Sequence, residues 1–499
     1  MKKMVMSAVV AAALGAFAAG FEFERPCVVP EPASADYKLS ACTELDDGFV
    51  LRLWCAQDAG KAADWLRRHV KEALGVDCRI EEPPIGALEN LGPEEYRLST
   101  YRKGAEIRAA GLAGVRHAFS TLRQLVQPKR GTAKVAGWIC PAARIADKPK
   151  FAFRGIHLCW FPETTSAQIE RAIRLAAYYK FNYAVLETWG AFRSEKYPWY
   201  GWADGRMTKQ EVARLVAVGR ELGVTLVPQL NAFGHASMCR WSSGKHAGLD
   251  FHPEYQPLFE PHNGWNWCLS NPEAKKMIRE LASEMLEAFG NPPYFHIGCD
   301  EAMPPSCPEC RAADWAQLVG DHVVELSAFL KERGADAMMW HDMLLKKGEW
   351  GRFYANAEHG EENILDRLPK NVIVCDWFYN AGVSPEGYPT FKHFAGKGLR
   401  TLTCPWRSPE GTRAQGKAAA EAGLFGVLGT TWHHLYGPDV EKIFVPTADA
   451  AWRGGAASSG KYFLTHLRQI GWDMKLSDPL ETGIYNEQLP GRTISPCGD

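Results

Sequence analysis

The sequence has no excess of charge of either sign: 57 basic and 58 acidic side chains in 499 residues leave a formal charge of -1. A chain so balanced has no global pull towards a polyanion or an anionic membrane surface, so nucleic-acid binding is disfavoured. Low-complexity tracts and internal repeats are also missing, which excludes a disordered scaffold or a solenoid. Beyond residue 20 no stretch is apolar for long enough to span a bilayer, so no membrane span is expected in the mature chain.

What is present is an ordinary globular balance, 46% apolar and 23% charged, with one unusual feature: 18 Trp against 16 Tyr. A large flat ring is either core filler or a platform for something flat and partly apolar, such as the face of a sugar. Residues 1–19 carry Lys2 and Lys3, an apolar stretch and small residues at Ala16 and Ala18, the pattern of a cleavable export signal rather than an anchor. The expectation is an exported protein, periplasmic or secreted. In that compartment some of the 14 cysteines have the chance to pair, in a manner that the sequence does not reveal.

Organisation follows from periodicity. A short polar joint at Asp147-Lys148-Pro149-Lys150 separates residues 20–147 from 148–499. In the first part, residues 48–54, 96–101 and 106–110 read as strands. Residues 61–74 and 114–126 read as amphipathic helices, giving a small α/β domain without a charged catalytic cluster. In the second part, strand candidates at 151–158, 182–189, 225–230, 294–299, 337–341, 372–377, 401–405 and 426–431 alternate with helix candidates. The helices fall at 166–179, 209–222, 272–289, 321–333, 388–395, 413–422 and 440–451. Parallel strands need crossover helices, and eight such units close a (β/α)8 TIM barrel. The alternative, an open doubly wound sheet, lacks the Gly-rich turn after its first strand.

A barrel of this kind places its site at the carboxyl ends of the strands. Walking those ends gives Arg154 and His157, Glu187 and Trp189, Asn231, Gly234 and His235, and Asp300 and Glu301. It continues with Trp340, His341 and Asp342, then Asp376, Trp377 and Tyr379, Trp406 and Arg407, and Trp432, His433 and His434. Carboxylates, imidazoles and indoles on one rim suit glycoside chemistry, in which a carboxylic acid protonates the leaving oxygen while aromatic walls hold the ring.

The sharpest element is His296-Ile297-Gly298-Cys299-Asp300-Glu301. It resembles the His-Xaa-Gly-Xaa-Asp-Glu motif of glycoside hydrolase family 20, the β-N-acetylhexosaminidases. The resemblance implies substrate-assisted retention: the 2-acetamido oxygen of the sugar attacks the anomeric carbon, Asp300 orients the acetamido group, and Glu301 is acid and then base. Water then opens the oxazolinium, and neither cofactor nor metal is required. Phe153-Arg154-Gly155 is similar to the segment whose Arg holds hydroxyls of the terminal sugar, which puts Arg154 in the substrate-binding set; the alternative is an Arg paired structurally with Asp300 or Glu187. Pro228-Gln229-Leu230-Asn231-Ala232-Phe233-Gly234-His235 resembles the segment that brings a His beside the catalytic pair. Trp340, Trp377 and Trp432 match the tryptophans that box the acetamido group, with Tyr379 as the candidate hydroxyl on its oxygen.

Three segments depart from the common pattern. Leu186-Glu187-Thr188-Trp189 stands after strand two, Pro405-Trp406-Arg407 after strand seven, and Trp432-His433-His434 after strand eight. These are hydroxyl-reading positions, and the pattern is closer to the divergent branch typified by hexosaminidase D. Glu187, Asp342, Trp406 and His434 join the expected substrate-binding set. Two other readings stay open: a barrel glycosidase with Glu187 or Asp342 as a conventional nucleophile, and a catalytically silent glycan-binding protein. Cys307-Pro308-Glu309-Cys310 has metal-ligand or redox spacing, but a zinc site needs two more ligands, so a local disulfide is favoured.

Overall fold

The computed structural model describes Phe23 and residues 25–458, apart from 84–89, 131–134, 163, 202–206, 238–247, 262, 381–383, 385–386, 434 and 436–438. The export-signal segment and His434 therefore lie outside the described residues. The described chain divides between Pro149 and Lys150 into two compact units, with Ser458 grouped with the first.

The first unit is built on a seven-stranded sheet. Its strands are β1 Ser34–Leu45, β2 Val50–Cys55, β3 Arg79–Glu81, β4 Tyr96–Tyr101, β5 Gly104–Ala109, β6 Gln127–Arg130 and β7 Val135–Asp147, in the order β1-β7-β4-β5-β2-β3 with β6 paired to β7. Helices Ala59–Leu74 and Leu112–Leu125 pack through their apolar stripes, Trp65 meeting Phe119 edge-on at 5.8 Å. Gly75 ends the first helix in the left-handed conformation that a glycine adopts without strain. Sequence periodicity marks both helices and β2, β4 and β5, but not the two longest strands. In β1 nearly every position keeps some exposure, so the strand carries little apolar alternation to detect.

The second unit is a closed barrel of eight parallel strands. They are β8 Phe153–Cys159, β9 Tyr183–Glu187, β10 Thr225–Gln229, β11 Tyr294–His296, β12 Asp336–Trp340, β13 Ile373–Phe378, β14 Arg400–Pro405 and β15 Gly426–Gly429, with β15 pairing back onto β8. Side chains two apart fill the lumen: Phe153; Val185; Val227; Met338 and Trp340; Ile373, Cys375 and Trp377; Leu402 and Cys404; Leu428. The amino end is plugged by Phe153 stacked on Tyr183 at 4.4 Å. The carboxyl end is lined by indoles and an imidazole, so the interior changes from inert packing to chemistry along its axis. Capping boxes at Thr165 and Thr208 start two crossover helices, Ser166–Tyr178 and Lys209–Leu222.

Candidate active site

Strand β11 stops at His296, four residues short of Asp300. The chain then turns through left-handed Gly298, Cys299 and Glu301, with φ of 67°, 70° and 47°. A Cβ on Gly298 would stand 2.5 Å from Asn231 Oδ1, and one on Gly234 would stand 2.2 Å from the Asp300 carbonyl, so the loops after β10 and β11 interlock only because both are glycine. Consecutive residues of a strand point to opposite faces. Here the strand is already broken, and Asp300 and Glu301 diverge differently: the Asp300 side chain is 9% exposed and the Glu301 side chain 49%.

Strain gathers on the same rim. Trp189, His235, Cys299, Glu301 and Arg407, none of them glycine, all have positive φ just beyond barrel strands. Such conformations cost about 1–3 kcal/mol each and persist where surrounding structure over-determines them, commonly at functional sites.

His235 ties the acidic pair together, its Nε2 lying 3.3 Å from Asp300 Oδ2 and 3.3 Å from Glu301 Oε2. Its ring rests on Trp265 at 4.2 Å, and the Trp265 indole donates to the Glu301 carbonyl at 2.7 Å. From the other side Asp342 Oδ2 accepts the Glu301 amide and the Asn356 side chain, each at 2.8 Å, and Oδ1 accepts the Trp377 indole at 3.3 Å. Burial, then the neighbouring Asp300 charge, lifts Asp342 to about 7.

Glu187 lies on the lumen floor, fully buried. Around it converge His157 Nε2 at 3.1 Å, Trp189 Nε1 at 3.1 Å, Asn231 Nδ2 at 3.1 Å and the Cys159 thiol at 3.8 Å. Above it runs an aromatic wall. Tyr354 stacks on Trp377 at 4.0 Å, and Trp377 on Tyr379 at 5.0 Å. Tyr379 meets Trp406 edge-on at 5.5 Å and accepts the Trp432 indole N–H at 2.9 Å. Trp432 closes on Trp340 at 5.5 Å, and Trp340 packs on His296 at 4.4 Å. Trp340 is wholly buried, so removing its ring would cost about 3–5 kcal/mol of stability, whereas the partly exposed Trp432 is a face that a ligand can reach.

The structure thus brings together Asp300, Glu301, His235, Asp342, Glu187, Trp340, Trp377, Tyr379, Trp406 and Trp432. Arg154 is a correction. With Phe153 facing the lumen, the next residue faces outward: Arg154 donates to the Phe151 and Lys180 carbonyls and lies 5.1 Å from the Trp452 ring. It braces the amino end of the barrel and does not join the rim. His433 is likewise committed, its Nε2 being 2.9 Å from Asp439. Sequence reasoning missed Trp265, Tyr354 and Asn356. All three sit on irregular segments after β10 and β12, where no periodicity marks them.

Asp342 yields a pH prediction. An acid whose folded pKa exceeds its unfolded value takes up a proton on folding. Its ionisation therefore costs no stability below about pH 4 and the full amount above about pH 7. Asp342→Asn removes that cost but loses hydrogen bonds worth about 1–3 kcal/mol. The variant's thermal midpoint, relative to the unchanged protein, should improve as pH rises from 4 to 7. Scanning calorimetry over that range tests the sign, and a deficit that widens with pH contradicts it.

Comparison with known proteins bears on this site. Residues 25–148 match the family model described as glycosyl hydrolase family 20, domain 2, and residues 168–405 match its catalytic domain. A beta-hexosaminidase of Akkermansia muciniphila is 25% identical over 329 residues, covering 59% of this chain and 61% of that protein. A beta-hexosaminidase of Vibrio furnissii is 23% identical over 400 residues, covering 70% of this chain and 58% of that one. The chain thus spans less than two thirds of these relatives' length. Among solved structures, a family 20 exo β-N-acetylglucosaminidase from Vibrio harveyi in complex with N-acetylglucosamine shares the fold, with a TM-score of 0.67 at 17% identity, covering 91% of this chain and 78% of that one.

Proposed function

The chain belongs to glycosyl hydrolase family 20, and from that premise we propose that it is an exo-acting β-N-acetylhexosaminidase, releasing terminal β-linked GlcNAc or GalNAc by substrate-assisted retaining catalysis. The observation that carries this reading is the split in exposure of the adjacent pair, Asp300 at 9% and Glu301 at 49%. A buried carboxylate in an aromatic box suits the 2-acetamido N–H. A half-exposed one suits the leaving oxygen and the incoming water.

In the first step Glu301 gives its proton to the glycosidic oxygen while the acetamido carbonyl oxygen attacks C1. Asp300 accepts the acetamido N–H, stabilising the positive charge that grows on the forming oxazolinium. In the second step Glu301, now a carboxylate, takes a proton from water as its oxygen attacks C1, and the acetamido group is restored. Two inversions leave the anomeric configuration retained. Tyr379 supports the cyclisation: its oxygen accepts from Trp432, and burial pushes its phenol well above its ordinary pKa, so it keeps a proton to donate. His235, touching both carboxylates, positions them.

A conventional nucleophile fits the geometry poorly. Glu187 and Asp342 are fully buried and already engaged by several donors, so neither has a free oxygen directed at a sugar. Residues 1–19 support export, and hence glycans outside the cytoplasm as substrate. Assaying purified protein on aryl β-GlcNAc and β-GalNAc tests the activity. Aryl alcohol should appear in step with free amino sugar, whereas binding without release, unchanged by Glu301→Gln, would make the protein a glycan-binding module.

A further inference from the structure

The loop that leaves Glu301 runs into a buried cluster that no catalytic step uses. Glu260, Cys268, Cys307 and Cys310 each present one ligand atom, and these atoms lie within 4.8 Å of one another. The disulfide expected between Cys307 and Cys310 is not formed: both are free thiols, as is Cys268. Cys268 supplies a third sulfur, 39 residues before Cys307, and Glu260 supplies an oxygen. These are the two ligands that the Cys-Xaa-Xaa-Cys spacing alone lacks.

The distances favour a shared cation over a bond between sulfurs. Cys268 Sγ is 3.8 Å from Cys307 Sγ and 3.8 Å from Cys310 Sγ. A disulfide requires about 2.05 Å. Two thiolates on one tetrahedral zinc, each about 2.3 Å from the metal, stand about 3.8 Å apart.

Glu260 adds an independent sign. It is 3% exposed. Its Oε2 is occupied by the Ser306 amide at 2.7 Å, the Ser306 hydroxyl at 3.1 Å and the Cys307 amide at 2.7 Å. Its Oε1 is buried with no hydrogen bond of good geometry, the Cys310 thiol being its neighbour. A carboxylate oxygen left so is costly unless something positive meets it.

We propose that Glu260, Cys268, Cys307 and Cys310 form a tetrahedral site for a thiophilic divalent cation, zinc by ligand type. On binding, three S–metal bonds and one O–metal bond form, and the three thiol protons pass to solvent. The Cys310 amide already donates to Cys307 Sγ at 3.2 Å, and Ser270 Oγ lies 3.1 Å from Cys310 Sγ, positioned to donate to a thiolate. Four protein ligands leave no open position, so the site is structural. What it fixes matters to the catalytic rim. The same two loops carry the Trp265 bond to the Glu301 carbonyl and the reciprocal Asn266–Met303 pair at 2.6 and 3.0 Å, so the ion would staple the support of Glu301 in place.

The test does not depend on the sugar reaction. Full-length protein, reduced and then reconstituted, should hold about one zinc per chain by elemental analysis, and Cys268→Ser or Cys307→Ser should lower this to under about a tenth. Cobalt substitution of the unaltered protein gives a second readout that does not depend on how those variants fold. Intense visible bands of tetrahedral cobalt with a thiolate charge-transfer band are expected. Unaltered protein that takes up neither ion, or peptide mapping that finds a disulfide between any two of the three cysteines after purification under non-reducing conditions, overturns the proposal.

Discussion

Glu301→Gln should lower kcat on an aryl β-N-acetylglucosaminide by about a thousandfold, within the range of 10²–10⁴ that a positioned acid–base group contributes. The substitution keeps the shape of the side chain and removes only its proton chemistry. With Glu301 half exposed and its backbone held by Asp342 and Trp265, the fold should be unaffected and KM should change little. The loss should depend on the leaving group. An alcohol of low pKa departs without help, so a nitrophenyl or dinitrophenyl glycoside should retain more activity than a natural disaccharide. Measuring kcat across a leaving-group series checks this, and an equal loss for every alcohol would remove Glu301 from the role of acid.

Asp300→Asn should be nearly as damaging, by about 10²–10³-fold in kcat/KM, the scale of losing one preorganised electrostatic partner of the transition state. The mechanism differs. An Asn at this position has a neutral oxygen to accept the acetamido N–H, beside an NH2 that accepts nothing, and cannot balance the oxazolinium charge. The effect should therefore follow the intermediate and not the leaving group: a thiazoline mimic of the oxazolinium should lose affinity by a similar factor, while the leaving-group dependence stays as it was. Inhibition constants for the two proteins decide the point, and undiminished thiazoline binding would place Asp300 outside the acetamido pocket. Since His235 touches both carboxylates at 3.3 Å, the two substitutions should not be additive.

The barrel could be read from the chain because eight short apolar runs alternate with amphipathic helices, and although the segment after β12 forms only short 3-10 turns, that alternation has one compact solution. The proposed catalytic pair stood out in the sequence because Asp300 and Glu301 are contiguous, with the glycine that breaks the strand inside the same six-residue motif. Arg154 shows where that reading stops. A family-like motif located it at a strand, but side-chain alternation sets which way it faces, and Phe153 occupies the lumen position beside it.

The cysteine cluster was only half visible, through the Cys307–Cys310 spacing, and Cys268 and Glu260 were missed for a different reason. Its ligands come from two loops, with Cys268 lying 39 positions before Cys307 and a helix and a strand between them, so only folding brings the sulfurs together. Trp265 and Asn356 belong to the same class, as residues whose role exists only through the group that they hold, the Glu301 carbonyl for Trp265 and the Asp342 carboxylate for Asn356. Of the tryptophan excess, Trp340, Trp377, Trp406 and Trp432 do line the rim, while Trp189 is tied to Glu187 and packs on Phe161 at 4.8 Å.

The central claim is that the substrate's own acetamido group is the nucleophile. The direct test compares kcat/KM for two aryl β-glycosides with the same leaving group, one bearing the 2-acetamido group and the other a 2-hydroxyl. Assisted catalysis predicts that the 2-hydroxy compound is slower by about a thousandfold or more, since the internal attack that supplies high effective molarity is gone. If the two are cleaved at similar rates, a protein carboxylate is doing the work and the account is wrong.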